Sequence, residues 1–289
     1  MIVFAAIAPH GGIVIPELCT ASELDLAAET RTGMEELGRR FGAASPDAVV
    51  VLTPHNVHVN GSIAVVVSGR LEGSLSDEEG GTAVSLGVPV DLELALATLV
   101  AVVDAELPAV GVSYGPNDPE AAVMPLDWGA LIPLWYMGGT AEPPTPCVLV
   151  SPARDLDPAR LVDAGAAIAA AAGRSSKRVA LIASADHGHA HDAEGPYGFD
   201  PAAATYDELV VRMVRENRLG ELVALDLGLV ESARADSFWQ LLVLHGALGD
   251  GFDAELLSYE APTYFGMLCA AFTPRASAGG SHRGARRTR

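Results

Sequence analysis

Three stretches carry almost no polar side chain between their ends: residues 2–8 (Ile-Val-Phe-Ala-Ala-Ile-Ala), 47–53 (Asp-Ala-Val-Val-Val-Leu-Thr) and 177–184 (Lys-Arg-Val-Ala-Leu-Ile-Ala-Ser). A strand with one face in water alternates apolar and polar side chains. Runs like these are buried on both faces, which requires helices on both sides of a parallel or mixed sheet. Each run also ends abruptly in polar residues. The first gives Pro9-His10-Gly11-Gly12 and the second Pro54-His55-Asn56-Val57-His58. The third gives Ala185-Asp186-His187-Gly188-His189-Ala190-His191. Open α/β sheets carry their chemistry just beyond the carboxyl ends of their strands.

The rest of the chain fits that frame. Helices are predicted over residues 20–42, 91–106, 158–172, 200–217 and 236–248, with Gly42 ending the first. Further strands are predicted over 61–68, 109–114 and 146–151, and two closing strands over 254–259 and 264–272. Residues 74–88 read as a Gly- and acid-rich loop. The segment from Met124 to Leu134 mixes turn formers with bulky apolar groups, a composition suited to a pocket wall. The expected class is α/β, one domain over residues 1–275, with a mostly parallel or mixed central sheet flanked by helices. Residues 276–289, rich in Gly, Ser and Arg, are expected to form a disordered tail.

Composition excludes several functions. A net charge of -19 leaves too few cations to neutralise a nucleic-acid backbone, so no nucleic-acid partner is expected. No apolar run approaches the ~18 residues that span a bilayer, so no membrane segment is expected. Residues 1–8 lack a basic n-region and read as a strand rather than a signal peptide. The three cysteines form no metal or redox pattern, which fits a reducing, cytoplasmic setting.

Imidazole ligates metals and titrates near neutrality, so histidines past three strand ends suggest a metal or proton-transfer site. Two neighbouring parallel strands would bring His10 and His55 within a few ångströms of each other. Turn capping explains either histidine alone equally well. Downstream carboxylates able to complete a two-histidine, one-carboxylate set are Glu231, Asp236 and Glu260, and a further histidine could move protons. His245, on an apolar helix face, reads as a core residue. Trp128, Trp135 and Trp239 read as packing, with Trp128 in the best pocket context.

In order and spacing, these landmarks resemble the class III extradiol ring-cleavage dioxygenases, the LigB-type superfamily that also includes Memo-type proteins. The resemblance runs from about residue 2 to 273. It includes His10, Thr53-Pro54-His55, Leu126-Asp127-Trp128-Gly129, Ser184-Ala185-Asp186-His187-Gly188-His189, the 241–248 helix and Tyr259-Glu260-Ala261-Pro262. It implies an Fe(II) cofactor held by His10, His55 and a carboxylate, with His189 as catalytic acid/base. An ungapped match sets Ser237 in the carboxylate's column with Asp236 one residue before it. Asp236 is therefore the expected third ligand and Glu231 the reserve. Trp128, Thr263 and Tyr264 would line the substrate pocket, although ring-cleaving members carry a His where Trp128 stands. The implied reaction inserts O2 into a catechol-type or aminophenol-type ring beside the diol. The alternatives are a Memo-like metal-binding protein without ring cleavage and a zinc hydrolase using the same histidines. A homo-oligomer is expected, and a small second subunit is compatible with the resemblance.

Overall fold

The computed structural model describes residues 1–77 and 80–275. The tail expected at 276–289 lies outside the described residues. The core is an eight-stranded mixed sheet. Its middle is four parallel strands in the order β1 (Ile2–Ala8), β9 (Val179–Ser184), β2 (Ala48–Leu52) and β8 (Cys147–Ser151). On one flank β11 (Met267–Pro274) runs antiparallel to β1, and β10 (Phe252–Glu260) is antiparallel to β11. On the other, β3 (Ile63–Val66) is antiparallel to β8 and parallel to β6 (Ala109–Val112). The sheet is mixed, as the apolar runs predicted.

Strands β2, β8 and β9 are buried at every position, because helices cover them. One group is α1 (Ala28–Ala44) and α3 (Trp128–Tyr136), which pack together, with α1 also against β1, β10 and β11. The other is α4 (Pro158–Arg174) against α7 (Phe238–Leu248), with α2 (Leu92–Asp104) on α4. The helix α5 (Pro201–Arg215) lies on β10 and on the short α6 (Leu227–Ser232). No helix among the described residues is long and apolar enough to cross a membrane.

Four expectations need correction. Strands β1 and β2 are not neighbours: β9 sits between them. The first helix begins at Ala28, not at residue 20. Thr20 and Glu23 close a separate turn, in which the Thr20 backbone N–H and hydroxyl both donate to Glu23 Oε2, at 2.7 and 2.8 Å. That leaves Leu24 and Leu26 exposed rather than on a helical stripe. The expected loop at 74–88 is largely a hairpin of β4 (Arg70–Ser76) and β5 (Ala83–Pro89). With β7 (Val123–Pro125) it makes a second, three-stranded sheet. Val84, Leu86 and Val88 alternate inward along β5, a period-two signal hidden by the surrounding acidic and glycine residues. Lastly, β11 starts at Met267, so Thr263 and Tyr264 lie in the connection that precedes it.

Leu181, in the middle of β9, is 1% exposed. Replacing it with Ala should cost about 2–5 kcal/mol through lost burial and the cavity left behind, read as a lower urea midpoint with an unchanged slope.

Candidate metal centre

The site forms where three strand ends meet the start of α7. His10 follows β1, His55 follows β2, Ser184 and Asp186 end β9, and Asp236 stands just before the helix. Because β9 lies between β1 and β2, the two imidazoles reach across it from either side. Their Nε2 atoms come within 3.2 Å of each other. Asp236 Oδ2 lies 3.5 Å from each.

A hydrogen-bond chain fixes the His10 ring. The Ser184 hydroxyl donates to the Gly129 carbonyl. Having one proton, it must then accept from His10 Nδ1–H, at 2.9 Å. A neutral His10 therefore presents a bare Nε2 lone pair to the centre. The His10 backbone N–H donates to Asp186 Oδ1 at 3.0 Å, and Asp186 Oδ2 lies 3.4 Å from His10 Nε2. Asp236 is held from the opposite side. Arg154 Nη2 donates to its Oδ1, while Oδ2 is buried with no hydrogen-bond partner. Arg154 stacks on Trp239, 4.6 Å from the ring centre, and Trp239 Nε1–H donates to the Arg154 carbonyl at 2.9 Å.

Burial alone would lower the His10 pKa, but Asp186 and Asp236 outweigh it and raise it. His55 goes the other way, down to about 4, through burial first and the neighbouring His10 second. Burial would raise Asp236, yet His10, Arg154 and His55 keep its pKa below the usual carboxylate range. Two imidazole nitrogens and an orphaned carboxylate oxygen thus converge on one point. A divalent cation fits that donor set, and His10, His55 and Asp236 are the residues that would hold it.

His55 and Asp236 border a cleft of about 480 Å³ whose walls also include Arg154, His189, Leu156 and Phe238, while His10 is buried next to them. His189 is half-buried. Its Nδ1 lies 2.8 Å from the His187 carbonyl, which can only accept, so Nδ1 carries the proton and Nε2 keeps its lone pair. Phe265 stacks on the His189 ring at 5.4 Å, and Tyr197 and Tyr264 flank it at 5.8 and 5.9 Å.

A family profile described as the catalytic LigB subunit of aromatic ring-opening dioxygenase matches residues 4–270. The chain belongs to the LigB family. Protein CA_C1420 of Clostridium acetobutylicum is 24% identical over 254 residues, covering 87% of this chain and 53% of that protein. The LigB-type chain thus spans about half the length of this curated relative. The crystal structure of uncharacterized protein JW3007 from Escherichia coli K12 shares the fold, with a TM-score of 0.58 and 18% identity, over 93% of this chain and 99% of that one.

The LigB-type fold brings His55, Asp236 and His189 to one cleft, with the buried His10 within reach of the first two. Glu231, the reserve ligand, is exposed on the cleft wall and outside the three-residue cluster. Trp128 lies on the outer side of the centre, 48% exposed, with its ring 4.5 Å from that of His55. Tyr264 stands behind His189 rather than on the cleft wall, and Thr263 is not on that wall, its hydroxyl buried without a partner. His245, read as core, is half-buried beside a separate cleft. Arg154 and Trp239 went unrecognised as site residues, although Arg154 follows the end of β8 and the strand-end rule that found His10 applies to it.

Two outcomes follow from this geometry. A Cβ at Gly129 would sit 2.8 Å from His55 Cδ2 and from Thr53 Oγ1, and 2.9 Å from Asp127 Oδ1. Gly129→Ala should therefore displace His55 and weaken Zn(II) or Co(II) binding at least tenfold by titration calorimetry. Protons also compete with the cation for His10. Because its pKa is raised, affinity should fall as pH drops, starting above the roughly 6.5 of an ordinary imidazole. Metal titrations from about pH 8 to 5.5 check this.

Proposed function

We propose that this LigB-family protein is a non-haem Fe(II)-dependent extradiol dioxygenase acting on a catechol-type or aminophenol-type ring. What carries the reading is the facing of two elements: an open His10–His55–Asp236 set and, on the same cleft, His189 with a free Nε2 lone pair. Bound Fe(II) would hold the diol oxygens and couple the electrons of the ring to O2, which reacts poorly with a closed-shell aromatic by itself.

The chain's own residues do the rest. His189 Nε2 takes a proton from the diol as it binds and returns it later in the reaction. The bond from His189 Nδ1–H to the His187 carbonyl keeps that nitrogen facing the cleft, and the stacked Phe265 ring stops the imidazole from turning over. Arg154 occupies Asp236 Oδ1, so Oδ2 is the carboxylate oxygen that would be left to hold a metal. Leu156, Val230 and Phe238 give the aromatic ring an apolar wall and exclude water.

The competing reading is a Memo-like metal-binding protein of the same fold without ring cleavage. Trp128 favours it, because an indole beside His55 replaces the imidazole expected there.

Anaerobic loading with Fe(II), followed by oxygen uptake on a panel of catechols and aminophenols, separates the two. The dioxygenase consumes O2 and gives a yellow ring-opened product. His189→Ala should retain iron and lose about 10²–10⁴-fold in kcat, whereas Asp236→Ala should lose iron. Iron binding without oxygen uptake on any substrate would leave the Memo-like reading standing.

A further inference from the structure

The side chains of the two histidines flanking His189 have no part in the chemistry above, and one of them leads to a buried carboxylate. Asp207, on α5, is 1% exposed and accepts three hydrogen bonds. Gly188 N–H donates to Oδ1 at 2.8 Å. His191 Nε2 and the Tyr259 hydroxyl meet Oδ2 at 2.8 and 2.7 Å. A carboxylate offers only acceptors, so His191 must present Nε2–H to it.

We propose that Asp207 is the positioning residue of the histidine segment: by gripping Gly188 and His191 it sets where His189 stands in the cleft. The kinetic part of this inference rests on the dioxygenase reading; the structural part does not. Asp207 holds both ends of the four-residue span from Gly188 to His191, and His189 lies inside that span. Apart from a bond of the His187 ring to Ser237 Oγ at 2.9 Å, the other ties of the segment are single backbone bonds, among them Asp200 N–H to Ala190 O at 2.9 Å. His187 N–H donates to Gly266 O, Gly266 N–H to Gly188 O, His189 N–H to Ala233 O and His191 N–H to Tyr264 O, at 2.8–3.2 Å. They fix the path of the main chain but hold neither the His191 ring nor the Gly188–His191 spacing.

The ring of His189 takes its orientation from the His187 carbonyl, so the turn geometry of 187–189 decides where Nε2 points. The same carbonyl also accepts from Asp236 N–H at 3.3 Å, which anchors the 187 end of the segment independently of Asp207. An unpaired charge buried this deeply is costly, and three donors are what make Asp207 tolerable there. The surrounding chain is cut to fit: a Cβ at Gly266 would overlap Asp207 Oδ2, so only glycine lets that strand connection come so close. Burial first, and then Asp207, raises the Tyr259 pKa, which keeps its hydroxyl a donor at neutral pH.

Asp207→Asn is the direct test, because the amide cannot accept from all three donors. None of the metal ligands touches Asp207, so Zn(II) affinity by calorimetry should stay within about threefold. The His191 Nε2–H proton should leave its slowly exchanging NMR position, and the nuclear Overhauser contact between the His189 and Phe265 rings should weaken. With a turned-over catechol, kcat should fall at least tenfold with KM little changed. The Asp207→Asn/His189→Ala double variant should be no slower than His189→Ala alone. His191→Leu should reproduce the kcat loss, while His191→Gln, which still donates, should keep kcat within about threefold. It also covers the case of an Asp207 variant that does not fold.

An intact His189–Phe265 contact in Asp207→Asn, or fully additive losses in the double variant, would overturn the proposal. If the wild-type protein consumes no oxygen, the dioxygenase reading fails, and the ring contacts still decide the role of Asp207.

Discussion

The centre depends on one short relay, from the Gly129 carbonyl through the Ser184 hydroxyl to His10 Nδ1. Each member has a single way to participate: the carbonyl accepts, the hydroxyl gives its only proton, and the imidazole must donate. The result is a His10 whose outer nitrogen is free and whose ring cannot turn. The relay joins α3, β9 and the loop after β1, so the packing of the sheet and the protonation pattern of the site are the same fact seen at two scales. The strand that carries Ser184 also separates β1 from β2. It therefore sets the gap across which the two imidazoles meet.

Electrostatics reinforces this arrangement. Asp186 and Asp236 draw positive charge to His10, His10 pushes it off His55, and Arg154 offsets one oxygen of Asp236 while leaving the other exposed to the nitrogens. In a chain with an excess of carboxylates, this is a local balance in which a cation is wanted at one point and already supplied at another. With one oxygen of Asp236 taken by the arginine, the other is the one left for a cation.

Much of this was legible in the sequence. Unbroken apolar runs required a sheet covered on both faces, and polar residues past those runs marked His10, His55 and the 187–191 segment. Asp236 came from the resemblance and not from periodicity, because the side chain precedes its helix and owes its direction to neighbours far away in sequence. Strand order was not readable. Nothing in the chain's local chemistry says that β9 inserts between β1 and β2, since strand order is a property of long-range pairing. Arg154 and Asp207 stayed hidden for a related reason: a surface-type residue becomes part of a site only when distant elements enclose it. The hairpin of β4 and β5 was masked by acidic and glycine residues whose alternation with apolar ones is plain once the pairing is seen.

The pairing of β1 has a temporal side. Ile7 lies beside Ala183 on one edge and Ala270 on the other, so β1 is completed by strands far along the chain. Contacts of such sequence separation form late, after the entropy of closing the long intervening chain has been met. Asp236 likewise lies far along the chain from His10 and His55. Until those distant contacts form, the folding chain carries histidines but no finished cage for them. A metal would be captured at the end of folding rather than seed it.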